Sequence, residues 1–124
     1  MKNRIKESYE NYLKTIYLLS KRSKGGWVSN TNISKYLQVK PSSVTDMLYK
    51  LNRRGLVSWR PRKKIRLTPE GRGIAKNTLE SYENLKSFFK RILNLEDNAF
   101  LDNLCCKMEH LITPEIVGTL KDMI

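Results

Sequence analysis

The sequence predicts a mostly α-helical chain. An N-terminal winged helix-turn-helix, residues 1–74, is followed by an α-helical dimerisation domain, residues 75–124. Three observations carry this expectation. Two short amphipathic segments, about 30–37 and 41–54, are separated only by Gln38-Val39-Lys40. A stretch crowded with Arg and Lys follows at once, between Val57 and Leu67. Beyond Thr68 the apolar residues recur at helical spacing, with no further strand pattern. Helix, turn, helix and basic ribbon in this order make a shape that lies on duplex DNA.

The elements follow in chain order. Tyr9, Tyr12, Leu13, Ile16, Tyr17 and Leu19 predict a first helix over about 6–21, ended by the Ser23-Lys24-Gly25-Gly26 segment. Trp27-Val28 reads as a short extended piece. Asn30 and Thr31 are candidate N-caps for the second helix, whose apolar positions are Ile33, Tyr36 and Leu37. Pro41 suits the first turn of the third, where its missing N–H costs nothing. Val44, Met47, Leu48 and Leu51 form that helix's inward stripe, and Gly55 stops it. Strands are expected at Leu56–Arg60 and Lys64–Thr68 around Pro61-Arg62-Lys63, with Val57, Ile65 and Leu67 inward. Thr68-Pro69-Glu70 signals cap, first position and acid for a long fourth helix to about Leu93. A fifth helix is expected from about Ala99 to Ile112, and a last one begins at Thr113-Pro114-Glu115.

At 124 residues the chain is about one domain long, or a small domain with a helical extension. Its net charge of +12 is unevenly spread. Residues 1–74 hold 18 Lys/Arg and 4 Asp/Glu, a net of +14, whereas 75–124 hold 6 and 8, a net of −2. A polyanion partner is therefore expected for the first part alone. A membrane surface is a poorer match, because the cations do not line one long amphipathic helix. The N-terminus has no apolar signal-peptide core, and Cys105 and Cys106, the only cysteines, are adjacent, which suits a reducing, cytoplasmic setting.

Double-stranded DNA is the polyanion this pattern fits. Lys40, Arg53, Arg60, Arg62, Lys63, Lys64 and Arg66 are the expected phosphate contacts. Ser42, Ser43, Thr45, Asp46 and Tyr49 are the base-facing candidates, because small and polar groups at the start of the third helix permit close approach to base edges. The helical C-terminal part is too thin to enclose a large core alone. A homodimer would complete it, and two-fold symmetry suits a palindromic operator.

On the fifth helix Leu101, Leu104, Cys105, Met108, Leu111 and Ile112 share an apolar arc. Asp102, Cys106, Glu109 and His110 fall on the neighbouring arc, and His110 is the only histidine. Thiolate, carboxylate and imidazole together suit a divalent transition ion such as Fe2+, Mn2+, Zn2+ or Co2+. Solvated acids and a capping histidine are the plainer outcome of the same spacing. An enzyme is not expected: Cys106 and His110 can touch at i, i+4, but no third orienting residue or oxyanion donor is identifiable.

The chain resembles the iron- and manganese-dependent repressors of the diphtheria toxin repressor and manganese transport regulator type (DtxR/MntR). The residues that carry the resemblance are Glu10-Asn11-Tyr12-Leu13-Lys14-Thr15-Ile16-Tyr17, Pro41-Ser42-Ser43-Val44-Thr45, Leu67-Thr68-Pro69-Glu70-Gly71 and Cys106-Lys107-Met108-Glu109-His110. Its length resembles the two-domain, manganese-regulator-like members. The resemblance implies a cytoplasmic homodimer that binds palindromic operators when loaded with Fe2+ or Mn2+, as a repressor. It implies metal ligands at Cys106, Glu109 and His110, with Asn11 and Asp102 at further ligand positions. The pattern departs at Asn11, where the family has Met or Asp, and at Lys14, where the manganese type has Glu. Tyr82 stands where a His is usual, and Lys86 where some members have an acid. Three outcomes stay open: a reduced site, a different metal, or a metal-independent winged-helix regulator. A winged helix that binds protein or RNA is the alternative from another class.

Overall fold

The computed structural model describes the backbone of residues 2–124 and the side chains from residue 6 onward. Its elements are α1 (Lys2–Ser20), α2 (Asn30–Leu37), α3 (Pro41–Arg53), β1 (Val57–Ser58), β2 (Arg66–Leu67), α4 (Pro69–Arg91), α5 (Ala99–Met108) and α6 (Pro114–Met123). Single 3-10 turns lie at Lys24–Gly26 and Glu109–Leu111. The chain forms two compact units, which divide between Lys76 and Asn77. Among the described residues no helix is long and apolar enough to cross a membrane.

In the first unit Leu13 and Ile16 of α1, Ile33 of α2, and Val44, Leu48 and Leu51 of α3 are fully buried together. Burying this stripe fixes the rotation of α3 and turns its polar face outward. The chain enters α2 one residue earlier than expected. Val28 and Ile65 exchange backbone hydrogen bonds of 2.8 and 2.7 Å, which keeps the chain extended into Ser29. Ser29, not Asn30 or Thr31, is therefore the cap, and its hydroxyl accepts from the Asn32 N–H at 3.1 Å. Gln38, at φ 57°, ends α2 in the left-handed region, and the buried Ser34 hydroxyl donates to the Val39 carbonyl at 2.6 Å. That clasp makes the tight turn before Pro41. Gly55, at φ 71°, ends α3, with the Leu56 N–H reaching back to the Leu51 carbonyl at 3.0 Å.

The ribbon is shorter than expected. β1 and β2 pair antiparallel only as Val57↔Leu67 and Ser58↔Arg66. The residues beyond them are committed elsewhere. Arg60–Lys63 closes a turn, with the Lys63 N–H on the Arg60 carbonyl at 3.0 Å, and Ile65 pairs with Val28 instead. The joint from the ribbon into α4 is tight. Thr68 accepts from the Gly71 N–H at 3.1 Å and donates its hydroxyl to the Gly55 carbonyl at 2.7 Å. A Cβ on Gly71 would sit 2.0 Å from the Leu56 carbonyl oxygen, so only glycine fits there.

In the second unit Leu85, Leu101, Cys105 and Leu120 form a small cluster, flanked by Tyr82, Phe88, Phe89, Met108 and Ile112. α4 stops at Arg91, short of the expected Leu93. Asn94 turns left-handed at φ 55°, and Ile92 and Leu93 are exposed. α5 likewise stops at Met108 rather than Ile112. Asn98 caps α5 and Thr113 caps α6, each accepting from the N–H three residues on.

Candidate nucleic-acid interface and metal-ligand residues

Ser42, Asp46, Tyr49 and Arg53 recur at four, three and four residues along α3 and are all exposed, as are Lys40 and Ser43. Arg60, Arg62, Lys63, Lys64 and Arg66 are exposed on the ribbon. Between Asp46 and Glu70 the chain has eight Lys/Arg and no acid, so the end of α3 and the ribbon carry positive charge alone. Thr45 differs from its neighbours by being half-buried, at the edge of the exposed face nearest the ribbon.

Two contacts brace the surface. The Tyr49 ring meets Trp59 edge-on, with centroids 4.8 Å apart at 85°. Trp59 is buried, which ties α3 to the ribbon while Tyr49 stays exposed. The Arg66 guanidinium lies over the Trp27 ring at 5.2 Å from its centre. At the ribbon tip Pro61 takes the second turn position and Arg62 the third, with φ 67°. Position three of such a turn favours glycine, so Arg62 holds its side chain outward at a conformational cost of about 1–2 kcal/mol. A cleft of about 430 Å3 opens between the start of α2, α3 and the ribbon, with Asn30, Thr45, Trp59 and the three cations of the tip among its walls.

Sequence reasoning missed Trp59, Asn30 and the Trp27–Arg66 stack. Trp59 had a signal, since it follows Val57 by two residues and so shares its inward face. Asn30 and Trp27 touch residues far along the chain, and no local pattern marks them.

The metal-ligand candidates are distributed otherwise than their helical spacing implied. Winding tightens after Met108, and the 3-10 turn carries Glu109 and His110 inward, to 3% and 8% exposure. The same turn throws Leu111 out to 70% exposure, away from the apolar arc expected for it. His110 Nε2 lies 3.3 Å from Glu109 Oε1. Cys106 is half-buried on α5, while Cys105 is a core residue whose thiol burial pushes up to about 11. Asp102 accepts the Tyr82 hydroxyl proton and lies 3.7 Å from the Lys86 ammonium. Lys86 also pairs with Asp97 at 3.1 Å. Burial first, and then the Asp102 bond, push the Tyr82 phenol up to about 12. Asn11 is half-buried on α1, in the first unit. Among the described residues no three His, Cys, Asp or Glu side chains are grouped so as to hold a metal ion. The donor chemistry of Cys106, Glu109 and His110 fits a transition ion, whereas their present grouping does not.

Comparison with known proteins joins the two halves. Residues 4–65 match the iron dependent repressor N-terminal DNA binding domain, and residues 68–124 match the iron dependent repressor metal binding and dimerisation domain. An uncharacterised HTH-type transcriptional regulator of Methanocaldococcus jannaschii is 36% identical, over 93% of this chain and 90% of its own length. The HTH-type transcriptional regulator MntR of Geobacillus kaustophilus is 29% identical, over 94% of this chain and 80% of its own. The solved structure of the manganese regulator SloR superposes with a TM-score of 0.76 at 27% identity, over 93% of this chain. The present chain spans about half of that one, 52%. A helix-turn-helix with an acid-free basic ribbon thus precedes a metal-binding and dimerisation domain, and the chain belongs to the iron dependent repressor (DtxR/MntR) family of DNA-binding, dimerising transcriptional regulators.

Proposed function

We propose that the chain is a cytoplasmic repressor that binds a palindromic operator as a homodimer, with α3 in the major groove and the basic ribbon on the backbone. The observation that carries this is the row Ser42, Asp46, Tyr49 and Arg53, exposed beside a ribbon that holds five exposed cations. Ser42, Ser43, Asp46 and Tyr49 face base edges, and Thr45 stands beside them. Lys40, Arg53, Arg60, Arg62, Lys63, Lys64 and Arg66 neutralise phosphates. No catalytic step is assigned to the chain. The test is selection of duplexes from a random library, followed by gel shifts across a salt series. An enriched inverted repeat supports the reading. Failure to enrich any sequence, with or without metal, sinks it in favour of a protein- or RNA-binding winged helix.

The second copy is supported by Phe100 at 71%, Leu111 at 70%, Met123 at 51% and Ile116 at 43% exposure, all apolar and all in the second unit. We further propose a divalent ion, Fe2+ or Mn2+, as corepressor, with Zn2+ or Co2+ as surrogates. Cys106, Glu109 and His110 would supply thiolate, carboxylate and imidazole, with Asp102 as an additional oxygen donor. Calorimetric titration of Mn2+, anaerobic Fe2+ and Zn2+ against wild type and His110→Ala checks this, and the expected result is micromolar binding that His110→Ala abolishes. Lys86 favours a second reading, a metal-independent regulator, because its ammonium already stands beside Asp97 and Asp102. Operator binding that a chelator leaves unchanged would select that reading.

A further inference from the structure

We propose that Thr45 discriminates bases through its methyl group, reading the C5-methyl of a thymine, because its hydroxyl proton is committed to Pro41 and its oxygen already accepts from Asn30. This rests on the DNA-reading role of α3 proposed above.

The Thr45 hydroxyl has one proton, which it donates to the Pro41 carbonyl at 3.1 Å. Its oxygen accepts from the Asn30 side-chain amide at 3.0 Å. A hydroxyl so held cannot donate to adenine N7, guanine N7 or O6, or thymine O4, the acceptors of the major groove. What Thr45 can still offer is its methyl group and one oxygen lone pair, which could accept from adenine N6 or cytosine N4, and Thr45→Val separates the two. Its position agrees with that role: it lies at the edge of the exposed face of α3, on the wall of the cleft shared with Trp59 and the cations of the ribbon tip. A ribbon on the phosphates would put this edge of α3 near the groove margin. The thymine methyl also projects at the margin of the major groove, close to its own strand's backbone.

Asn30 is the positioning residue in this arrangement. Its Oδ1 is buried with no hydrogen-bond partner. An orphaned buried oxygen is unfavourable, and native structures contain few of them. The amide is nonetheless held with its nitrogen on the Thr45 hydroxyl, which fixes that side chain.

The experiment uses the full chain and the duplex it selects from a random library. Each thymine is replaced in turn by deoxyuridine, which removes only the C5-methyl. Wild type is expected to lose roughly three- to fivefold in affinity at one position per half-site, the loss expected for one methyl contact. Thr45→Ser keeps the hydroxyl and should no longer distinguish thymine from uracil there. Thr45→Val keeps the methyl groups and should still do so. Asn30→Ala frees the hydroxyl to rotate and should blunt the discrimination. Wild type indifferent to uracil at every position overturns the proposal. So does a Thr45→Val protein that loses base preference at a position where Thr45→Ser keeps it, since the hydroxyl would then be the reader. If no duplex is enriched, the DNA-reading role itself fails, and that result is distinct from an enriched site insensitive to uracil.

Discussion

In the first unit thirteen of the described apolar residues form one buried cluster, whereas the cluster of the second unit has four, and Phe100 and Leu111 stand 71% and 70% exposed beside it. The polar residues divide the other way. The described cations of the first unit are exposed, apart from the half-buried Lys14, while the second unit buries Glu109 and His110. A unit with a filled core and polar groups outside is stable alone and presents a ready-made surface. One with a thin core, buried titratable groups and exposed apolar side chains is completed by something it binds, and its state can follow that binding.

The largest effects should come from the filled core. Leu48→Ala removes a fully buried side chain and should cost about 2–5 kcal/mol in urea unfolding followed by circular dichroism. Gly71→Ala forces a Cβ onto the Leu56 carbonyl, a backbone atom that cannot rotate aside, and should cost roughly 3 kcal/mol. If either is tolerated with no loss, the first unit is looser than its packing implies. Phe100→Asp, on an exposed residue, should leave that transition in place but halve the mass in sedimentation and weaken operator binding by about a hundredfold or more. A dimer unchanged by it would place the second unit's partner elsewhere.

Smaller effects sharpen the electrostatic side of the contrast. Arg62→Ala should weaken binding to all duplexes alike and lower the salt slope by about one. Arg62→Gly should lower binding similarly and yet raise thermal stability, by about 1 kcal/mol, because glycine accepts φ 67° without strain. In the second unit the Tyr82 phenol is raised, so its hydrogen bond to Asp102 is fully present below the ordinary tyrosine value near 10 and lost as pH climbs toward 12. Absorbance at the phenolate band should show a tyrosine ionising near 12 that Tyr82→Phe removes, besides Tyr12, which burial also raises.

The reading head was legible because local rules governed it. Pro41 and Thr68-Pro69 begin α3 and α4 where their chemistry requires, and the stripe Val44, Leu48 and Leu51 faces inward. Where the expectation slipped, a distant partner was the cause. Val28 pairs with Ile65, so the α2 cap moved to Ser29 and the strands came out shorter. The metal-ligand segment was less legible. A wheel drawn at one fixed pitch cannot show the tightening after Met108, which exchanges the positions of Leu111 and His110. Lys86 reaches Asp97 and Asp102 across a loop, and spacing alone does not disclose such a pairing.

The joint at Thr68 and Gly71 has a mechanical consequence. Two hydrogen bonds from Thr68, to the Gly55 and Leu56 carbonyls, and a glycine packed against Leu56 tie the first turn of α4 to the segment that leads into the ribbon. The two behave as one stiff piece, with the basic tip as its far end. A rotation applied to that turn would therefore be passed to the ribbon that carries Arg62 and Lys63. A regulator joined this way can govern its grip on DNA by angle, with no rearrangement inside the part that grips.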